Sequence, residues 1–152
     1  MSEAQDPPVL SDADMLARFQ NSKKRPPCSD TLGMRLEAVD QTAKRIEMSF
    51  QVSPSFANPT GAIQGGFISA MLDEAMSTCC IIASNVTMTA PTLEFKVSFL
   101  RPLFPGPAMA RAWVLKWGKS TAFLESELVS VKGDVVAKAT ATAAPKPFKR
   151  IS

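Results

Sequence analysis

Polar and apolar residues alternate along much of this chain, and near its middle the alternation gives way to one long apolar run. Over Thr31 to Val39, Leu32, Met34, Leu36 and Ala38 alternate with polar neighbours, which predicts a strand. After a turn at Asp40-Gln41-Thr42, Ala43 to Val52 alternates again, with Ile46, Met48, Phe50 and Val52 on one face and Arg45, Glu47, Ser49 and Gln51 on the other. The two strands make a hairpin. Four further strands are expected in succession, as an antiparallel meander: Thr87 to Leu100, Ala108 to Trp117, Ser120 to Val131 and Val135 to Ala144. They are separated by Arg101–Pro107, by a tight turn at Gly118-Lys119 and by Lys132-Gly133-Asp134. Ahead of the hairpin, Ser11 to Gln20 reads as a short helix with Ser11 as N-cap, Asp12 and Asp14 in its first turn, and Met15, Leu16 and Phe19 as its apolar face.

The apolar run follows a loop from Ser53 to Gln64 that contains Pro59 and Gly61. It opens on Gly65-Gly66 and meets no Pro or further Gly until well past Cys80, which predicts one helix from Gly65 to about Ala83. A helix that is apolar nearly all round must be covered on most sides. A curved antiparallel sheet wrapped around it is the economical cover, so the fold class is α+β. The glycines allow close backbone approach where a helix start offers free N–H groups. Asp73 and Glu74 sit in the same apolar helix, where an unpaired carboxylate is costly.

The totals narrow the chemistry. A length of 152 residues suits one domain, here 30–144, with 1–29 as lead-in and short helix and 145–152 as a polar tail. No run is read as long enough to span a bilayer, and the acidic start Met-Ser-Glu-Ala-Gln-Asp is unlike a secretory signal. Net charge is +3 without a dense basic block, which argues against nucleic-acid binding. Of three cysteines two are neighbours, Cys79 and Cys80, so a reduced, cytoplasmic setting is expected. The chain contains no histidine, which removes His-dependent triads, Cys–His pairs and His-ligated metals. No metal and no cofactor is expected, and acid–base work falls to Asp, Glu, Lys or Cys with backbone dipoles.

Helix geometry adds a constraint. Asp73 lies eight residues beyond Gly65, roughly 12 Å along a helix axis at 1.5 Å per residue. A carbonyl held at the Gly65 N–H cannot touch Asp73 of its own helix, whereas an antiparallel second copy could bring its Asp73 alongside. Glu74, about 100° further round the helix, is expected to point elsewhere and to be paired.

The pattern Asn58…Gly61…Gln64-Gly65-Gly66…Asp73, between a hairpin and a run of strands, resembles the hotdog-fold acyl-CoA thioesterases, in particular the phenylacetate-pathway type. The resemblance spans roughly residues 30–144 and extends to Thr92-Leu-Glu-Phe-Lys-Val-Ser-Phe-Leu-Arg-Pro102 and Gly118-Lys-Ser-Thr-Ala-Phe123. It implies hydrolysis of a CoA thioester in a homodimer, often a dimer of dimers. It further implies that Asp73 is the catalytic carboxylate, as base or nucleophile, and that Gly65 supplies the N–H for the thioester oxygen. Asn58, Gln64 and Gly66 then belong to the substrate-binding loop, and Thr92 matches a hydroxyl residue that positions water. The family usually has His before the glycine pair; here it is Gln64, which hydrogen-bonds but exchanges no proton near neutral pH. Each residue also has a plainer use: Asp73 as a hydrogen-bonded buried acid, Gly65 in close packing, Asn58 as a turn residue before Pro, Gln64 in loop hydrogen bonding and Thr92 as an ordinary strand position. The leading expectation is an acyl-CoA thioesterase built as a homodimer or homotetramer, with no membrane or nucleic-acid partner. The alternative is a non-catalytic acyl-CoA sensor or carrier of the same fold, with Gln64 marking lost catalysis. A hotdog dehydratase is disfavoured by the missing histidine, and an assembly subunit would ignore acyl-CoA altogether.

Overall fold

The computed structural model describes residues 8–148. The expected first helix is α1, Asp12–Gln20, and the Ser11 side chain accepts a hydrogen bond from the Asp14 backbone N–H at 3.1 Å. The next element departs from the alternation pattern. Pro27–Thr31 forms a five-residue helix, α2, with a proline in its first turn, where the missing N–H costs nothing. The strand expected from Thr31 therefore starts later, as β1 (Met34–Asp40), after Gly33 at φ 65°. No side chain fits there, because a Cβ would lie 2.6 Å from the Gln51 carbonyl oxygen.

Strand β1 pairs antiparallel with β2 (Arg45–Val52). A register shift between Leu36 and Ala38 takes Ala38 out of the buried row to which simple alternation assigns it. Helix α3 spans Gly65–Ala83, as the apolar run predicts. The single strand expected over Thr87–Leu100 is instead two, β3 (Met88–Thr89) and β4 (Thr92–Phe99), parted at Ala90-Pro91 because proline donates nothing to a ladder. Strands β5 (Gly106–Trp117), β6 (Ala122–Ser130) and β7 (Val135–Ala143) follow as expected. Part of the anticipated tail is a short strand, β8 (Lys146–Pro147), paired with β3; residues 149–152 of that tail lie outside the described residues.

The last four long strands are not one meander. β5, β6 and β7 pair in sequence, but β4 crosses over to pair with β7, and β5 pairs with β2. The sheet order is β1-β2-β5-β6-β7-β4, all antiparallel. The connection from Leu100 to Pro105 carries two prolines and cannot close a tight hairpin between β4 and β5. Helix α3 packs most extensively on β5 and β6, with β2 and β7 beside them. The result is the α+β hotdog arrangement, a curved sheet wrapped around one long helix. Phe50 and Met48 of the sheet meet Met71, Leu72 and Met76 of α3 in the core. At 19 residues α3 does have the length and apolarity to cross a bilayer, contrary to the expectation that no run does, but here its apolar surface lies against the strands.

The two edges of this sheet differ. Along β1 the Gln20 side-chain amide donates to the Leu36 carbonyl at 2.8 Å, and the Arg25 guanidinium donates to the Met34 carbonyl. Along β4, Phe95, Val97 and Phe99 stand opposite the buried Ala141, Ala139 and Ala137, so they point to the helix-bearing face. Yet Phe95 is 40% and Phe99 54% exposed, and neighbouring Leu93 is 64% exposed.

Candidate active site

The start of α3 is fixed by the loop before it. The Gln64 backbone N–H donates to Phe56 O at 2.9 Å, the Ile63 N–H donates to Leu103 O at 2.8 Å, and the rings of Phe56 and Phe67 stack with centroids 4.0 Å apart. Gln64 is the N-cap: its Oε1 accepts the Gly66 N–H at 2.7 Å. The carboxamide and the Gly66 N–H thus satisfy each other. The Gly65 N–H, at the first helical position, has no acceptor among the described residues.

Both glycines also have packing reasons. A Cβ on Gly66 would sit 2.7 Å from Gln64 Oε1, and one on Gly65 would sit 3.1 Å from the ring of Phe99. Gly65 opens onto a cleft of about 390 Å³ whose walls include Asn58, Ile63, Ile68, Phe99 and Arg101. Asn58 shapes that cleft as a turn residue: its Oδ1 accepts from the Thr60 N–H at 2.9 Å and from the Thr60 hydroxyl at 2.7 Å. Its side-chain NH2 has no acceptor among the described residues.

Asp73 and Thr92 form a second cluster, and neither lines the cleft at Gly65. Asp73 is half-buried on α3, and the Thr92 hydroxyl on β4 donates to its Oδ1 at 2.7 Å. Oδ2 receives no hydrogen bond among the described residues. Glu74, next along, is paired as expected: the hydroxyl of Ser29 on α2 donates to its Oε1 at 2.6 Å. One chain therefore carries two separate polar features on one helix, an open N–H at Gly65 and an anchored carboxylate at Asp73.

The cysteines take no part in these clusters. Burial pushes the Cys79 thiol up to about 12, with the neighbouring Cys80 adding to the effect, and burial raises Cys80 to about 11. Such thiols are inert, and they are free rather than bridged. Among the described residues no three His, Cys, Asp or Glu side chains come together as a metal-binding group. Sequence reasoning missed Ser29, Phe99 and Arg101. Only Arg101 carried a legible cue, a cation beside a proline at a strand end.

The fold and these features define a hotdog-fold protein with a helix-borne carboxylate. Residues 60–137 match the Thioesterase superfamily, and the chain belongs to that family. It is 30% identical over 104 residues to an esterase candidate from Saccharolobus solfataricus, covering 68% of this chain and 74% of that protein. A solved thioesterase candidate from Ralstonia eutropha, described as phenylacetic acid degradation-related, is 32% identical with a TM-score of 0.78, covering 85% of this chain and 98% of that one. The PaaI protein of the Escherichia coli phenylacetic acid degradation operon shares the fold at a TM-score of 0.69 and 24% identity, covering 77% and 86%.

Proposed function

We propose that this protein is an acyl-CoA thioesterase whose active site joins the two half-sites across a homodimer. The observation that carries this reading is the pairing, on one helix, of an unpartnered N–H at Gly65 with a carboxylate held by Thr92. The two lie too far apart along the helix to serve one carbonyl, so a second, antiparallel chain supplies the complementary half. The exposed aromatic residues of β4 favour that edge as the join, because they lie on the face that elsewhere forms the core.

In the shared site the thioester oxygen accepts the Gly65 N–H, at a helix start where backbone dipoles favour negative charge. Asp73 of the other chain takes a proton from water as the water attacks, or attacks the carbonyl carbon itself, in which case water then hydrolyses the acyl–Asp73 anhydride to release the acid and restore the carboxylate. The tetrahedral oxyanion then collapses, the C–S bond breaks and CoA leaves as thiolate. Thr92 keeps one carboxylate oxygen pinned and leaves the other for the reaction. Asn58 offers its free NH2 to the substrate, while Gln64 and Gly66 hold the loop by their mutual bond. A protein of the same fold from Streptococcus mutans, 17% identical, was solved with acetyl CoA bound, which supports the ligand class.

Thiol release from short-chain, long-chain and aromatic acyl-CoAs tests the reading. Wild type should release thiol from at least one class, and Asp73→Asn should lower turnover by roughly a thousandfold or more while still binding acyl-CoA. Near-normal turnover in Asp73→Asn sinks the assignment. Binding without release by wild type favours the carrier or sensor reading.

A further inference from the structure

A helix that is apolar nearly all round has little to fix its rotation about its own axis, since several packings bury similar surface. A polar residue with one specific partner can index such an element, as a single buried polar contact does in coiled coils. On α3 two side chains reach other elements through charged hydrogen bonds, and they are adjacent: Asp73 to Thr92 on β4, and Glu74 to Ser29 on α2. Their directions differ by about 100° round the helix, so one bond pulls against the other. The Ser29 partner is the firmer of the two ends: it is 0% exposed, and at 2.6 Å its bond to Glu74 is short and charge-assisted. Helix α2 is itself tied down, because Arg25 just ahead of it pairs with Asp30 and donates to the Met34 carbonyl on β1.

We propose that Ser29 and Glu74 form a positioning clamp that sets the rotation of α3, and with it the direction in which Asp73 presents its free oxygen. This rests on the thioesterase reading above. Neither clamp residue touches substrate; both act through Asp73. Ser29 lies outside the family-matched segment 60–137, in a short helix that simple alternation does not predict. Without the Ser29 hydroxyl, Glu74 keeps a half-buried carboxylate with no donor and turns toward water, carrying its neighbour with it. Small misplacements of a reacting group cost rate far more than they cost binding.

The test uses full-length protein, steady-state thiol release and thermal melting. Ser29→Ala is expected to lower kcat about tenfold with KM within about twofold of wild type. Glu74→Ala, at a half-exposed position, should do the same and serves as the probe if Ser29→Ala fails to fold. Glu74→Gln retains an acceptor for the hydroxyl and should recover most of kcat. The double variant Ser29→Ala/Glu74→Ala should be no slower than the slower single, as for two ends of one interaction. A single variant that melts lower but keeps wild-type kcat overturns the clamp, as do two singles whose effects on kcat multiply. Wild type that turns over normally beside an unaffected Ser29→Ala defeats the clamp alone. Wild type with no thiol release from any acyl-CoA defeats the functional reading and the clamp together.

Discussion

Thr92 has one hydroxyl proton, and it goes to Asp73. Thr92→Val keeps the shape and removes the donor, which is worth about 1.5–3 kcal/mol where the acceptor is charged. The expected outcome is a kcat some tenfold or more below wild type with acyl-CoA binding retained, read by thiol release and by titration with a non-hydrolysable CoA thioether. Gly65→Ala tests the other half-site. Its Cβ would lie 3.1 Å from the Phe99 ring, so the ring must yield, and the oxyanion position shifts with it; turnover should fall by about 10²-fold. The thiols give a pH prediction. Cys79 and Cys80 keep their protons in the folded chain up to about 12 and about 11, while the unfolded chain loses them from about 9. Above that lower value the unfolded state binds fewer protons, so stability is intact below about pH 9 and falls as pH rises toward 11 and 12. Melting scans across that range should show the loss, and it should shrink in Cys79→Ala after allowance for the cavity. At this scale the sequence was informative about Gly65 and Asp73, because a glycine pair and a buried acid break an apolar pattern. Ser29 was illegible, since a serine in a polar lead-in looks like any other and its importance comes from burial by distant residues.

At the scale of elements, the best-read feature was α3 and the worst was the route of β4. Periodicity reports which face of a strand is buried, and it located β5, β6 and β7 well. It does not report neighbours, so the pairing of β4 with β7 and of β5 with β2 stayed hidden. Helix α2 was hidden for another reason: five residues are too few to show a helical period. The start of α3 rests on an unusual cap, because Gln is not among the favoured N-cap residues. Gln64→Ala should lower stability by about 1 kcal/mol, visible in denaturant melts, and leave the Gly66 N–H without its partner. Gln64→Asn, whose shorter amide reaches the helix start by the usual N-cap geometry, should preserve that stability.

Over the whole molecule the two faces of the sheet are chemically distinct. The concave face carries the helix, and across the other face Glu47, Arg111, Glu127 and Lys138 stand in one row over β2, β5, β6 and β7 with alternating charge. These ion pairs are largely exposed and add little stability, but they suit a face in water. Association is therefore expected through the apolar β4 edge. Phe99→Glu places a charge there and should yield monomers in analytical ultracentrifugation together with loss of thiol release, because each half-site is then alone. A monomer that still turns over would separate activity from pairing and contradict the shared site.

The blocked edge along β1 has a consequence for counting. A sheet with two adhesive edges has a valence of two, and such units join without end into filaments. Here Gln20 and Arg25 occupy the Leu36 and Met34 carbonyls of one edge, so among the described residues β4 is the edge of this sheet expected to pair. A unit of valence one can find a single mate by strand pairing and must then stop. With the pairing proposed above, the side-chain amide of one glutamine and the guanidinium of one arginine thus favour a finite assembly over an open polymer.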